Sequence, residues 1–195
     1  KVGACDTSRR TGGPSVWILD AADRPFTSTT APNGAPTSIG LYAARNDYEA
    51  AQILVRSGSA QSGVSITTGA LSGPGGATIP AADVTARYEY NHPNIQKVGN
   101  VQSPPDNGSA YYDALMDDSP QSVAANTTFA SYYEVYIPAG QAPGVYPGSS
   151  AVNSSLGAVT VQVPVSVYSA PIPPTSQATF KMNNWFTSAG WDYSG

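Results

Sequence analysis

The chain has 195 residues, 9 Lys plus Arg against 13 Asp plus Glu, a net charge of −4 and a single histidine. No basic face is available to neutralise phosphates, so nucleic acid is excluded as a partner. No apolar run is long enough to span a bilayer as a helix, and one His supports neither a zinc site nor a Ser-His-Asp triad. Charged residues make up only 11% of the chain, while Gly 19 and Pro 17 are high. That combination predicts a turn-rich, all-β, exported protein rather than a helical cytosolic one. The start, Lys1-Val2-Gly3-Ala4-Cys5, fits a mature chain whose export signal has been removed.

The predicted elements follow from period-two alternation. After an N-terminal tail over residues 1–14, an opening strand runs from Ser15 to Leu19 around Trp17. Thr37 to Ala44 is next. Glu49 to Arg56 follows, with Ala51, Ile53 and Val55 alternating against Gln52, Leu54 and Arg56. Val64 to Thr67 is short, and Pro80 to Asp83 is a single helical turn. Val84 to Tyr90 sets Val84, Ala86, Tyr88 and Tyr90 against Thr85, Arg87 and Glu89. Thr128 to Ile137 is long and aromatic. Val145 to Val152 and Val159 to Val167 form a hairpin around Asn153-Ser154-Ser155-Leu156-Gly157. In the last strand Val159, Val161, Val163, Val165 and Val167 share one face, and Pro164 marks an edge or a bulge because it has no N–H to donate. Short strands separated by Gly- and Pro-bearing turns predict a two-layer antiparallel β-sandwich, immunoglobulin-like or jelly-roll-like, over residues 15–176.

Asn91 to Ala125 breaks the rhythm. It carries His92-Pro93-Asn94, Ser103-Pro104-Pro105-Asp106-Asn107-Gly108 and Asp117-Asp118-Ser119-Pro120. A polar connection of this length is read as the working surface of the domain, with Tyr90, Asn91 and His92 as candidate sugar contacts. His92 is otherwise an ordinary surface histidine. Asp106, Asn107, Asp117 and Asp118 are oxygen-rich, but they lack calcium-loop spacing and turn chemistry accounts for them. Neither metal nor cofactor is therefore expected. Tyr88, Tyr90, Tyr132, Tyr133, Tyr136 and Trp17 are read as core or interface aromatics, with a sugar-stacking platform as the alternative. Arg45 with Asp47 and Glu49 reads as an ion pair pinning the start of a strand, with a hydrolytic carboxylate pair as the alternative. Cys5 is a lone thiol, inert or paired with a cysteine elsewhere. Asn107, Asn126 and Asn153 begin Asn-x-Ser/Thr triplets.

Pro171-Ile172-Pro173-Pro174 reads as a domain boundary. Aromatics then return at high density from Phe180, as if residues 177–195 were a linker and the first strand of a second domain. Trp185, Phe186 and Trp191 are the candidate domain-interface residues.

Several motifs occur in a fixed order. They are Arg45-Asn46-Asp47-Tyr48-Glu49 leading to Gln52, Tyr112-Asp113-Ala114-Leu115, Tyr133-Glu134-Val135-Tyr136-Ile137-Pro138, Pro143-Gly144-Val145-Tyr146-Pro147-Gly148, and Val163 to Tyr168 before Ile172-Pro173. Together they resemble the N-terminal β-sandwich domain of glycoside hydrolase family 123-like proteins, over about residues 15 to 185. Asp47 stands where that family usually has Glu, and Tyr112 where it has Pro. The resemblance implies a following (β/α)8 barrel, with Phe180 to Trp185 as its first strand. It implies β-N-acetylgalactosaminidase-like chemistry, in which the substrate's acetamido group is the nucleophile and an Asp-Glu pair of the barrel assists. No residue here matches that pair, so no catalytic residue is expected in this chain. Its partner would be the barrel of the same polypeptide, with carbohydrate as a possible ligand. The alternatives are an independent carbohydrate-binding module, which needs an exposed aromatic row, and a structural or adhesion sandwich.

Overall fold

The computed structural model describes residues 13–92, 111–117 and 120–177. In chain order the strands are β1 (Ser15–Asp20), β2 (Leu41–Arg45), β3 (Asp47–Arg56), β4 (Gln61–Thr67), β5 (Leu71–Ser72), β6 (Thr78–Ile79), β7 (Val84–His92), β8 (Tyr111–Met116), β9 (Gln121–Val123), β10 (Thr128–Ile137), β11 (Gly144–Tyr146), β12 (Ser149–Asn153), β13 (Val159–Gln162) and β14 (Val165–Pro171). Short 3-10 turns occupy Pro74–Gly76, Ala81–Asp83 and Thr175–Gln177. The turn at Ala81–Asp83 sits where the sequence places a single helical turn.

One layer is a five-stranded antiparallel sheet in the order β1-β3-β10-β7-β8. The facing layer combines β11-β14-β2 with β13-β12-β4-β9. The two parts of that layer are joined by one long hairpin. Its arms pair as β12 with β13 and then as β11 with β14. Both arms break at the same level, one at Pro147-Gly148 and the other at Val163-Pro164, where Val163 N donates to Gly148 O at 2.9 Å. Proline cannot continue a ladder, so each strand read from the sequence as continuous is two. The valine alternation survives the break: Val161, Val163, Val165 and Val167 are all buried.

The all-β sandwich stands as the sequence predicts, with one departure from antiparallel pairing. β2 runs parallel to β14, Leu41 beside Val165 and Ala43 beside Val167. Before β2 the chain already tracks the same arm, with Ile39 N donating to Gln162 O and Leu41 N to Pro164 O.

The core lies between the layers. Ile18, Ile53, Val55, Phe129, Tyr133, Val135 and Ile137 meet Leu41, Ala43, Val64, Ile66, Tyr146, Val152 and Val161. A second cluster of Trp17, Leu54, Tyr112 and Ala130 lies on the opposite face of the five-stranded sheet, with Ala31 and Ala35 packed over it. β3 is therefore buried on both faces in its centre, not on one as its alternation suggests. The side-chain amide of Gln52 donates to the carbonyls of Asp20, Ala21 and Asp23, tying the covering segment down. Arg56 donates to Thr27 O and Thr128 Oγ1.

Candidate functional site

Two of the ordered motif segments, Arg45 to Glu49 and the stretch ending at Ile172-Pro173, converge at the end of β14. β2 and β3 belong to opposite layers and are joined through Asn46 alone, which adopts φ +60°. Asn is among the few residues that tolerate this left-handed region. Asn46 N donates to Ile137 O at 2.8 Å, and its Oδ1 accepts from Tyr136 Oη at 3.1 Å. Its Nδ2 donates to Ile172 O at 3.0 Å. Next to it, Arg45 Nη2 donates to Ser169 O at 2.6 Å and Ile172 N donates to Arg45 O at 2.8 Å. This corner grips the departing strand at three points. The partners of Arg45 and Asn46 are 124 and 126 residues away in sequence. Asp47 Oδ1 accepts from Tyr48 N. The expected Arg45–carboxylate pairing is thus replaced by a guanidinium-to-carbonyl bond, because the turn brings the end of β14, not Asp47 or Glu49, to the guanidinium.

Beside this corner the outer face of β11-β14-β2 is open and apolar. Val145 lies opposite Ser166, and Ser166 opposite Tyr42. Tyr168 is two residues further along the same face. Tyr42 is 61% exposed, Val145 57% and Tyr168 55%. The Tyr42 and Tyr168 rings lie with centroids 6.5 Å apart and planes inclined by 23°. Around the corner, Tyr48 packs on Tyr136 with centroids 4.7 Å apart. The sequence reading missed Tyr42 and Tyr168. Alternation carried the signal: Leu41, Ala43, Val165 and Val167 point inward, so Tyr42 and Tyr168 must point out.

The polar segment chosen as the working surface is partly ordered sheet. It contributes β8 and β9, while residues 93–110, 118 and 119 lie outside the described residues, and with them Asp106, Asn107 and Asp118. Tyr90, Asn91 and His92 close β7, with Asn91 opposite Tyr112 and His92 opposite Tyr111. The register shifts by one between Glu89 and Asn91, with the extra residue on β8 between Leu115 and Tyr112. Glu89 keeps the face of Thr85 and Arg87 but is buried there, and Tyr90 is exposed. Tyr112 Oη donates to Thr128 O. Burial, with the Glu89 carboxylate nearby, raises the pKa of that phenol far above its ordinary value. Trp185, Phe186 and Trp191 lie outside the described residues, as does Cys5.

Among the stacking candidates, Trp17 and Tyr133 are fully buried, which fits the core reading and removes both from any sugar platform. Glu49 does share its side of the sheet with Asp47 and Asp20. Burial, then the negative charges of Asp47 and Asp20, raises its carboxyl above the ordinary 4.5. Among the described residues no group of three or more His, Cys, Asp or Glu could hold a metal ion, and no helix is long and apolar enough to cross a membrane.

No family model matches the chain, and no curated protein is significantly similar to it. Solved structures are similar to it to different degrees. A family 123 glycoside hydrolase from Clostridium perfringens, described in connection with glycolipid glycan hydrolysis, is similar with a TM-score of 0.69 and 13% identity, over 83% of this chain and 28% of that one. This chain thus spans under a third of that enzyme. The CooA pilin subunit of enterotoxigenic Escherichia coli matches at a TM-score of 0.39 with 12% identity, covering 81% of this chain and 99% of that one. A protein described as membrane-anchored from Corynebacterium diphtheriae matches at a TM-score of 0.34 with 14% identity, covering 88% of this chain and 38% of that one. At 13% identity the likeness to the hydrolase is one of fold alone.

Proposed function

We propose that residues 15–176 are a non-catalytic accessory sandwich of a secreted glycoside hydrolase, and that they brace a catalytic barrel following in the same polypeptide. The observation that carries this reading is the 83% coverage of this chain by part of a family 123 hydrolase at a TM-score of 0.69, together with the ordered motifs. The sandwich occupies 28% of that enzyme, which leaves room there for a separate catalytic unit. Two further features support the division of labour. The departing strand is gripped at Ser169 and Ile172 by the Arg45–Asn46 corner, which suits a domain that must hold a neighbour at a set angle. An uncharged aromatic face opens beside that strand. The substrate class would be an N-acetylgalactosamine-bearing glycan, processed in the barrel. Tyr90, Asn91 and His92 would at most lend contacts at the rim of the cleft.

The test has two parts. Residues 13–177, expressed alone, should fold cooperatively and show no turnover of aryl N-acetylhexosaminides. Glycosidase activity in that fragment would overturn the reading. The protein isolated from its source should have an intact mass well above that of these 195 residues and should cleave such substrates. A mass equal to that of this chain would defeat the proposal independently.

A further inference from the structure

We infer that Asn33-Gly34 is a site of covalent self-modification, at which the side-chain amide of Asn33 is lost to give aspartate and isoaspartate and the cover over Trp17 is loosened. The pair lies between β1 and β2. It occupies the middle of a tight turn, closed by Ala35 N donating to Pro32 O at 3.0 Å, with Gly34 at φ +70°. A positive φ at the third position is what a type II turn requires, and glycine supplies it without strain. Pro32, Asn33 and Gly34 are all exposed, and a Cβ built on Gly34 would meet nothing within 4 Å. The turn is therefore open to water.

The reaction needs only what the turn holds, and water. The backbone nitrogen of Gly34 attacks Cγ of Asn33. A C–N bond forms, the bond from Cγ to Nδ2 breaks, and the proton of the Gly34 amide leaves with the departing ammonia. The succinimide ring so formed then adds water at one of its two carbonyls. Opening on one side yields an aspartate at this position. Opening on the other yields an isoaspartate, whose backbone runs through Cβ and is longer by one atom. Glycine favours the attack because it puts no side chain beside the attacking nitrogen. The other described asparagines are held or crowded. Asn46 Nδ2 donates to Ile172 O, and Asn153 Nδ2 to Thr67 Oγ1 and Ala151 O. Asn91 lies within β7, opposite Tyr112. Asn126 is exposed, but Thr127 follows it, and a β-branched side chain stands beside the nitrogen that would have to attack.

The consequence falls on the cover. Ala31 and Ala35 flank the turn and pack over Trp17 and Leu54. Just beyond, Ile18 N donates to Pro36 O at 3.0 Å and ties the covering segment to β1. An extra backbone atom between the two alanines changes their spacing, so they cannot both keep their places over the cluster. The change also adds one negative charge to a chain already at −4. This inference goes beyond the hydrolase reading and stands apart from it, because it uses only the turn and the strand beneath it.

The 195-residue chain, held in warm, mildly alkaline buffer and sampled over days, tests it. Peptide mapping should place the exchange of an amide for an acid at Asn33 ahead of Asn46, Asn91, Asn126 and Asn153. Protein-isoaspartate methyltransferase with labelled S-adenosylmethionine should mark isoaspartate there. One exposed hydrogen bond closes the turn, so the folded protein should react no more than about tenfold more slowly than the same chain in denaturant. Asn33→Gln, which would have to close a larger ring, should lose the signal. In the aged protein the Ile18 amide should exchange with solvent several-fold faster, while amides of β10 keep their protection. Asn33→Asp carries the charge on an unaltered backbone and should leave the Ile18 amide protected, which separates charge from chain length. An intact Asn33 in the folded protein when the denatured chain has fully reacted would overturn the inference, as would earlier reaction at Asn46 or Asn153. Isoaspartate at Asn33 with an unchanged Ile18 amide would overturn the loosening of the cover.

Discussion

Gly73 and the ring of Tyr146 pack with no room for a side chain between them. A methyl group on Gly73 would stand 2.6 Å from Cζ of Tyr146 and closer still to Cε1 and Cδ1. The ring cannot swing aside, because Tyr146 is fully buried and its hydroxyl is held from two sides. It donates to Ala142 O at 2.7 Å and accepts from Gln141 Nε2 at 2.7 Å. Gly73→Ala should therefore destabilise the sandwich by about 1–3 kcal/mol, the usual range for an overfilled core. Gly148→Ala should cost more, since its neighbour is the backbone of Val163 rather than a side chain. Urea denaturation at neutral pH measures both, and a Gly73→Ala protein as stable as the parent would show that the ring has freedom the packing denies it.

Asn46 is the second sensitive point. Its φ of +60° costs a side-chain-bearing residue such as Ala about 1–2 kcal/mol, and its amide group bonds Ile172 O and Tyr136 Oη. Asn46→Ala loses both advantages and should cost about 2–3 kcal/mol. Asn46→Gly keeps the backbone freedom and loses only the side-chain bonds, so its cost should be nearer 1 kcal/mol. The ranking is the test: equal losses would mean that the backbone conformation carries no strain.

Tyr133 and Ser150 offer an opposite expectation. The Tyr133 hydroxyl and Ser150 Oγ are buried between the layers without a hydrogen bond of ordinary geometry. Burial raises the pKa of the Tyr133 phenol, and the nearby Ser150 hydroxyl offsets this only in part. Replacing both polar groups with apolar ones of similar shape is near neutral or stabilising when neither is well satisfied. Tyr133→Phe/Ser150→Ala should match the parent or exceed its stability by up to about 1 kcal/mol. A marked loss in thermal denaturation would reveal a good Tyr133–Ser150 bond in solution.

The valine ladder from Val159 to Val167 made the sandwich legible, because burial on one face imposes a period of two whatever the sheet. It could not reveal that the ladder changes partner at Pro164, since inward valines look alike on either side of the break. β10 was legible to its ends, being long and paired on both sides. β7 was legible in its alternation, but the burial of Glu89 was not, because it depends on the pairing with β8 that sets Leu115 beside it. Burial of Gln52 and Leu54 depends on the covering segment that carries Ala31 and Ala35, which no local pattern announces. The corner at Arg45 and Asn46 was visible as a motif but not as a grip, since its partners Ser169 and Ile172 lie at the other end of the chain. The aromatic face was hidden for a simpler reason: Tyr42 and Tyr168 are far apart in sequence and meet only through the parallel pairing of β2 with β14.

Glu49 gives a prediction in pH. Its folded pKa is raised above 4.5 by burial first, then by the charges of Asp47 and Asp20. Between 4.5 and that raised value the native state holds more protons than the unfolded chain, so stability falls as pH rises through the window. At neutral pH the ionised carboxylate is thus a net liability. Glu49→Gln removes the charge and keeps the shape, so it should raise the melting temperature at neutral pH. The gain should shrink as pH falls through the folded pKa and vanish below 4.5, where the parent carboxyl is protonated in both states. Thermal melts across that range decide the matter. A Glu49→Gln protein less stable than the parent at neutral pH would mean that the carboxylate has a cationic or donor partner strong enough to reverse the repulsion.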